Sequence, residues 1–370
     1  IKTDDGRMPV SYNLSDFTIT DAEGNDVTSQ GKFSELDQTV GGKDAHVIKW
    51  TPNSTGSLTS ASYTLNTKFT TVADHIADSE VDAGISPFGT TPLHDYNEYT
   101  PDTDKHWTEG SQTVDNKVAI DGDQIHAAIT MTLPDPTTLS TPLRTLNVVD
   151  DFTSFQDKVD FVSAQVLENG ANVTDQYTIT AKDGKVIATR KDAASAPSGK
   201  VELDTTFALH KDVATNTQLI NNGSGTLNAD TKPTPPVTLI THHPDPDKHW
   251  VEGSQTVDGK TYINDDQITA DMNMTLPDPA TLVAPLTKVQ LDDDYTKYQG
   301  NVDFVSAHVF ENGTDVTDQY TITTDAGHVI ATRKAAASAP AGKVTLKSVF
   351  KIHDDVKSGT TFLNGGSGTL

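Results

Sequence analysis

The sequence contains one long stretch twice, and this repeat constrains the fold more than any other feature. Residues 104–227 and 247–370 align without a gap at an offset of 143, and 76 of the 124 aligned positions are identical. Shared blocks include MTLPDP, VDFVSA, VTDQYTIT and VIATRK. Solenoid repeats are only about 20–50 residues long, so a repeat of this length is a whole domain. The chain therefore contains a tandem pair of one domain.

The first hundred residues resemble part of the same unit. Phe17–Thr28 matches Val162–Thr174, and His46–Trp50 matches Lys185–Thr189. No counterpart of the KHW segment precedes residue 17, so we expect the chain to start inside a module. The predicted domains are a partial module at 1–100 and full modules at 101–241 and 242–370. Pro-containing joints at 229–236 and 242–250 predict semi-rigid linkers and an extended string of domains.

Residue alternation within a module predicts β-strands. Val201–Phe207 alternates between apolar and polar side chains, and Gln176–Ala181 and Val186–Thr189 flank an Asp183-Gly184 turn signal, which predicts a hairpin. Pro and Gly interrupt every stretch long enough for an amphipathic helix. Short strands separated by turns every 8–12 residues indicate an all-β fold made of β-sandwiches.

Composition excludes several classes of function. The formal net charge is −25, with 52 acidic against 27 basic residues, which argues against binding to nucleic acid or to anionic lipid. The absence of Cys excludes disulfides, Cys–zinc sites and thiol nucleophiles. No apolar run approaches the roughly 18 residues of a membrane span, so no membrane insertion is expected. HExxH, Walker, GxSxG and GxGxxG motifs are absent, which indicates a protein that is not an enzyme.

Acidic clusters recur at matching places and suggest calcium as an optional ligand, with no cofactor required. Calcium prefers several carboxylate and carbonyl oxygens. The alternative is that these side chains cap their own turns. The calcium candidates are Asp121, Asp123, Asp265, Asp266 and Asp292.

A Lys, an Asp pair and an Asn also recur in each full module, and together they predict a self-formed Lys–Asn isopeptide bond. Burial removes the proton of the Lys, and the neutral amine then attacks the Asn amide while a carboxyl relays protons. Aromatic neighbours (Trp107, Phe152 and Phe161, repeated as Trp250, Tyr295 and Phe304) would exclude water. The candidates are Lys105, Asp150, Asp151 and Asn221 in the second module and Lys248, Asp293, Asp294 and Asn364 in the third.

Two alternatives to this assignment stay open. Lys117 and Lys260 also recur in register and are rivals for the amine, although their DNK and DGK settings indicate exposed turns. All of these lysines would otherwise be ordinary surface residues. In the partial module the position that matches Asn221 falls near Asp78, so no bond of this kind is predicted there.

Each full module opens at a Pro-flanked Lys, contains DDF or DDY, and has an Asn near its end. Tandem modules with these features resemble the C-terminal domains of streptococcal antigen I/II-type adhesins. The KHWxEGxQ, MTLPDP, ENGxxVT and ATRK blocks resemble repeat domains of cell-wall-anchored surface proteins of lactobacilli. The resemblance implies immunoglobulin-like sandwiches, Lys–Asn isopeptide bonds with an assisting Asp, calcium binding in some members, and an LPxTG wall anchor.

Carried over by position, the family's Lys falls on Lys105 and Lys248, and its Asp on one residue of each Asp pair. The family often places its Asn in a last strand of SN-x-V type. Here that stretch reads Thr234-Pro-Pro-Val237, so Asn221 and Asn364, one strand earlier, are the nearest candidates.

The function predicted from these features is a cell-surface adhesin segment, either stalk or adhesive repeats, that mediates attachment to host or other cell surfaces. Its partner would be a host or bacterial surface glycoprotein or glycan. Its location would be extracellular, on the wall of a Gram-positive bacterium, with peptidoglycan anchoring through regions outside this chain. The alternative is a non-catalytic carbohydrate-binding or spacer module of a secreted carbohydrate-active enzyme. The two copies differ mainly at 115–123 against 258–266 and at 137–149 against 280–292, which we predict as binding surfaces.

Overall fold

The computed structural model describes residues 10–370 except 41–42, 55, 57, 61, 69, 72–80, 85–89, 94–98 and 140. Asp78, at which no crosslink is predicted, lies outside the described residues. Contacts divide the chain into two compact units, residues 1–101 and residues 102–370. Each unit is described by itself.

The first unit contains four antiparallel strand pairs among its described residues. Among the described residues of this unit, Phe17, Ile19 and Val27 are buried apolar side chains. The pairs are β1 with β6, β2 with β5, β3 with β4 and β7 with β8. The strands are β1 Val10–Ser11, β2 Thr18–Asp21, β3 Gly31–Val40, β4 Lys43–Pro52, β5 Tyr63–Asn66, β6 Thr70–Thr71, β7 Val81–Gly84 and β8 Thr90–Leu93.

The second module forms two facing sheets. The strands are β9 Thr103–Glu109, β10 Gln112–Thr113, β11 Val118–Ile120, β12 Gln124–Leu133, β13 Leu146–Asp151, β14 Val159–Glu168, β15 Ala171–Asn172, β16 Tyr177–Lys182, β17 Lys185–Arg190, β18 Gly199–Leu209, β19 Gln218–Leu227, β20 Asp230–Pro233 and β21 Val237–His242. One sheet has the order β10-β9-β12-β18-β14-β15, and the other has the order β11-β21-β19-β13-β17-β16, with β20 paired to β19.

The third module repeats this arrangement with fewer strands. Its sheets have the orders β23-β22-β24-β30-β26-β27 and β28-β29-β25-β31. The strands are β22 Asp247–Glu252, β23 Gln255–Thr256, β24 Gln267–Leu276, β25 Gln290–Asp294, β26 Val302–Glu311, β27 Thr314–Asp315, β28 Tyr320–Asp325, β29 His328–Arg333, β30 Gly342–Ile352 and β31 Gly365–Thr369.

Alternating side chains create the sandwich cores. On β12, Ile125, Ala127, Ile129 and Met131 are buried while their neighbours lie towards solvent, as the period of two in a strand requires. The predicted hairpin is β16–β17, and its turn residues Asp183 and Gly184 have φ of 53° and 74°, which is typical of a tight hairpin turn. The all-β sandwich prediction is confirmed for the described residues.

Short 3-10 helices connect many of these strands. Their bounds are Leu14–Asp16, Thr28–Gln30, Pro136–Thr138, Thr153–Phe155, Thr174–Gln176, Ala193–Ser195, Pro279–Thr281, Gln299–Asn301, Thr317–Gln319 and Ala336–Ser338. Within the described part of the chain, no helix has the length and apolar character needed to cross a membrane.

The second and third modules touch within the unit 102–370. Ile120 of the second module is buried in the core cluster of the third. The backbone N–H of Val283 donates to the Val118 carbonyl at 2.8 Å, and Lys117 Nζ donates to the Ala280 carbonyl at 2.7 Å. Two of the segments predicted as binding surfaces, 115–123 and 280–292, therefore contact each other at this joint. The boundaries of the three-module division stay a prediction.

Candidate functional site

Lys105 lies between the two sheets of the second module. Its Nζ donates to Asp150 Oδ1 at 2.7 Å and to the Asn222 carbonyl at 2.8 Å. The side chains of Lys105 and Asp150 are both 0% exposed. Lys105 stands on β9 of one sheet, whereas Asp150 and Asn222 stand on β13 and β19 of the other. This contact therefore crosses the sandwich core.

Strand alternation explains which member of the Asp pair meets the lysine. Leu146, Val148 and Asp150 occupy the inward positions of β13. Asp151 lies on the other face, where it accepts hydrogen bonds from Thr153 and forms an ion pair with Lys185 at 3.1 Å. The structure thus brings Asp150 to Lys105 and leaves Asp151 outside the core.

Asn221 points into the same core from β19. It is 0% exposed and in phase with the buried Leu219. Neither its Oδ1 nor its Nδ2 has a hydrogen-bond partner among the described residues. The carbonyl that Lys105 contacts belongs to the next residue, Asn222, so the unpaired amide is a near neighbour of the lysine. A buried amide without partners costs about 1–3 kcal/mol, which makes this residue unusual in a core position.

Burial and the neighbouring charge act in opposite directions on the amine of Lys105. Burial lowers the pKa of the Lys105 ammonium below its ordinary value, and the nearby Asp150 carboxylate opposes this shift without cancelling it. A charged group buried in an apolar region is disfavoured because it loses its hydration. The 2.7 Å hydrogen bond places a carboxylate oxygen of Asp150 directly against the amine.

Aromatic side chains lie in the same sandwich core as Lys105, Asp150 and Asn221. Trp107, Phe155 and Phe207 are 0% exposed and Phe152 is 7% exposed, whereas the predicted Phe161 is partly buried. The ring centroids of Phe152 and Phe207 are 4.8 Å apart. Thr205, in phase with Phe207 on β18, donates its hydroxyl to the second oxygen of Asp150. Sequence reasoning missed Phe155, Phe207 and Thr205, although the alternation of β18 would have placed the last two inside.

The third module contains the same arrangement in a more open form. Lys248 Nζ donates to Asp293 and to the Gly365 carbonyl, and burial lowers the pKa of Lys248. The polar atoms of the Asn364 side chain are buried and have no partner among the described residues. Lys248 is 13% exposed where Lys105 is 0% exposed. Asp294, the other member of the pair, instead accepts hydrogen bonds from Thr296.

The rival lysines lie elsewhere. Lys117 contacts Ala280 at the joint between modules, and Lys260 is exposed in a turn. Neither lies in the core of its sandwich.

The calcium candidates have protein partners of their own. Asp121 contacts His243 at 2.6 Å, Asp265 contacts Lys351 at 2.6 Å, and Asp292 contacts His328 at 2.9 Å. Asp266 accepts from the Ile263 backbone at 3.0 Å, and burial raises the pKa of Asp123. Within the ranges that the structure describes, no three His, Asp or Glu side chains come together to hold a metal ion, and calcium takes six to eight oxygens. The calcium hypothesis stays a prediction.

A second buried polar cluster was not identified from the sequence. Arg190 Nε donates to Glu168 Oε1 at 2.6 Å, and the Tyr177 hydroxyl donates to the same oxygen at 2.7 Å. The third module repeats this cluster with Arg333, Glu311 and Tyr320. The partners belong to different strands, so no local spacing signals them. The cluster joins β14, β16 and β17 at one end of the sandwich.

Comparisons with known proteins show what the second module is similar to. Residues 101–234 match the cell surface antigen I/II C2 terminal domain. The C-terminal domain of the antigen I/II polypeptide BspA of Streptococcus agalactiae aligns with a TM-score of 0.55 at 12% identity, over 68% of this chain and 91% of that one. The C-terminal domain of AspA, an antigen I/II-family protein of Streptococcus pyogenes, aligns with a TM-score of 0.54 at 14% identity, over 68% and 91%. No curated protein sequence matches this chain. At these identities the structural alignments establish a shared fold.

Proposed function

We propose that this chain is a non-enzymatic segment of an adhesin on the surface of a Gram-positive bacterium, because residues 101–234 match the antigen I/II C2 terminal domain, as the sequence motifs predicted. We further propose that a self-formed bond between Lys105 and Asn221 locks its second module. The observation that carries the bond is the buried amide of Asn221, which lacks a partner beside a buried lysine–aspartate pair.

The chemistry proceeds in two steps. The proton of Lys105 moves to Asp150, and the neutral Nζ attacks Cγ of Asn221 to give a tetrahedral intermediate. The Cγ–Nδ2 bond then breaks as the proton held by Asp150 passes to Nδ2, which leaves as ammonia, while the second proton of Nζ passes to Asp150 and leaves that carboxyl protonated beside the new amide. One amide replaces another, so no oxidant or cofactor is consumed. The surrounding aromatic side chains exclude the water that would compete for the amide carbon.

The position of the bond suits a protein that bears load. Lys105 and Asn221 stand on opposite sheets, so the bond would tie the two layers of the sandwich together across 117 residues of chain. The chain has no Cys, and a small extracellular domain needs some other covalent constraint. Tandem copies of such a domain suit a stalk or a repeated adhesive surface.

Proteolytic mapping tests the bond. We expect a branched peptide in which the segment around Lys105 is joined to the segment around Asn221, lighter than the sum of both by about 17 Da, the mass of ammonia. Lys105→Arg should remove the branched peptide while keeping a positive charge. Lys117→Arg is the matched control and should leave it intact. Separate linear peptides in the parent protein would refute the bond.

We propose a surface glycoprotein or glycan as the partner, on the strength of the family relationship. A glycan array and a panel of immobilised glycoproteins test this proposal. Retention on either without release of reducing sugar supports attachment, and release of sugar would instead indicate a carbohydrate-active enzyme.

Calcium is proposed as an optional ligand, and EDTA should lower the melting temperature if Asp121 and Asp123 hold it.

A further inference from the structure

The sheet that faces Asp150 holds both oxygens of its carboxylate. Lys105 Nζ donates to Oδ1 at 2.7 Å, and the hydroxyl of Thr205 donates to Oδ2. Lys105 stands on β9 and Thr205 on β18, with β12 between them, so the two donors reach the carboxylate from two strands of one sheet. The crosslinking reaction uses the contact with Lys105. The contact with Thr205 takes no proton and breaks no bond, so its role lies elsewhere.

A carboxylate in this position needs hydrogen bonds to fix its orientation. The terminal torsion of an aspartate side chain is broad, so the carboxylate plane turns over a wide range unless its oxygens are held. An ionised carboxylate only accepts hydrogen bonds, and a hydroxyl has one proton to donate. The Ala127 carbonyl, another acceptor near the Thr205 hydroxyl, lies 3.3 Å from it, farther than the Asp150 oxygen. The proton of Thr205 is therefore directed to Asp150.

Strand alternation and side-chain type direct the Thr205 hydroxyl inwards. Thr205 is 1% exposed, lies between Leu203 and Phe207 in the inward row of β18, and is opposite Ala127 of β12. Because β18 is paired on both edges, with β12 and β14, its register is fixed. The branched side chain of a threonine also restricts its first torsion. The strand and the stereochemistry of the side chain together hold the donor in place.

The third module has Ser348 at the equivalent position, and its carboxylate is held differently. Ser348 is 0% exposed, and its strand β30 is paired on both edges, as β18 is. Lys248 donates to Asp293 Oδ1. Among the described residues, neither the Ser348 hydroxyl nor Asp293 Oδ2 has a hydrogen-bond partner. The absence of one methyl group thus accompanies the absence of the second hydrogen bond to the carboxylate.

We propose that Thr205 is a positioning residue for the crosslinking of Lys105 to Asn221. By holding Oδ2, it turns Oδ1 of Asp150 towards Nζ and keeps the transferred proton on the oxygen beside the amine. This inference rests on the proposed function, in which that proton next passes to the departing nitrogen of Asn221. A proton on Oδ2 would instead lie on the side of Thr205. The threonine touches neither reacting group and acts through Asp150.

The rate of bond formation in the whole chain tests this role. The chain is synthesised in a cell-free reaction with a short pulse of labelled amino acids, and samples taken at intervals are digested to measure the branched Lys105–Asn221 peptide. Thr205→Val keeps the shape of the side chain without the hydroxyl, and we expect it to slow the reaction by at least about tenfold. Thr206→Val, which removes an outward hydroxyl from the same strand, is the matched control and should react like the parent.

A second pair of variants separates the hydroxyl from packing. Thr205→Ser and Thr205→Ala both lose the methyl group, but only the serine keeps a donor, so we expect the serine variant to react at least about fivefold faster. A role in packing alone predicts another order, with the valine variant at the parent rate and the serine and alanine variants equally slow. This pair also decides the matter if the valine variant does not fold.

The outcomes distinguish the positioning role from the bond itself. A valine variant that folds and reacts at the parent rate, or serine and alanine variants that react equally fast, would overturn the positioning role and leave the bond in place. Absence of the branched peptide from the parent chain would overturn the bond and this role together.

Discussion

Replacing Asn221 with Ala gives opposite results depending on whether the Lys105–Asn221 bond exists. With the bond, the substitution opens a covalent loop of 117 residues. By the entropy of loop closure, a crosslink over that length stabilises the folded state by about 5 kcal/mol at 25 °C. Asn221→Ala should therefore lower the free energy of unfolding of the second module by about this amount, or its melting temperature by about 10–20 °C.

Without the bond, the same substitution should leave the module unchanged or make it more stable. Asn221 would then be a buried amide with two unpaired polar atoms, and removing such a group relieves about 1–3 kcal/mol of desolvation. The sign of the change thus separates the two accounts.

Urea denaturation and calorimetry of the whole chain provide the assay. Asn222→Ala is the matched control, because its side chain lies on the exposed face of the same strand, and we expect a change within about 0.5 kcal/mol. A parent protein no more stable than Asn221→Ala would refute the reasoning.

Three further predictions concern individual polar side chains of the two full modules. Tyr298→Phe should stabilise the third module by about 1–3 kcal/mol in calorimetry, because its hydroxyl is buried without a partner among the described residues and Phe155 takes its place in the other copy; a less stable variant would contradict this. Glu168→Ala should destabilise the second module by about 3–5 kcal/mol in urea unfolding, because it leaves Arg190 buried and uncompensated. Lys182→Ala, in a pair whose side chains are both 82% exposed, is its control and should change stability by less than about 1 kcal/mol. The hydrogen bond to Asp115 raises the pKa of His106, so its stabilising effect is complete below the ordinary histidine pKa and is lost as pH rises through the raised value. His106→Asn should therefore flatten the fall in melting temperature as pH rises above the ordinary histidine pKa, and an unchanged pH profile would exclude this role.

The sequence contained much of the candidate site, because the repeat marks equivalent positions and strand alternation marks inward ones. Asp150 lies on the same face of β13 as Leu146 and Val148, so strand alternation predicts that Asp150, and not Asp151, points into the core. Asn221 is likewise in phase with Leu219. These relations are local along one strand, so a single sequence can reveal them.

The remaining features depend on contacts between distant strands. Glu168 and Arg190 meet across different strands, and nothing in their spacing indicates it. Segments 115–123 and 280–292 each differ in sequence from the equivalent segment of the other copy, and this difference suggested ligand specificity. The structure gives another reason, since Val118 and Val283 meet at the joint between modules. Ile120 is buried in the core cluster of the third module whereas Ile263 is 73% exposed, and this difference depends on the contact between modules, which residue identity does not show.

The intact mass of the purified chain tests the central claim most directly. The account predicts a mass below the sequence sum by about 17 Da, one ammonia, for the bond in the second module. The deficit should be absent in Asn221→Ala and should double if the third module also reacts. A parent mass equal to the sequence sum would contradict the account.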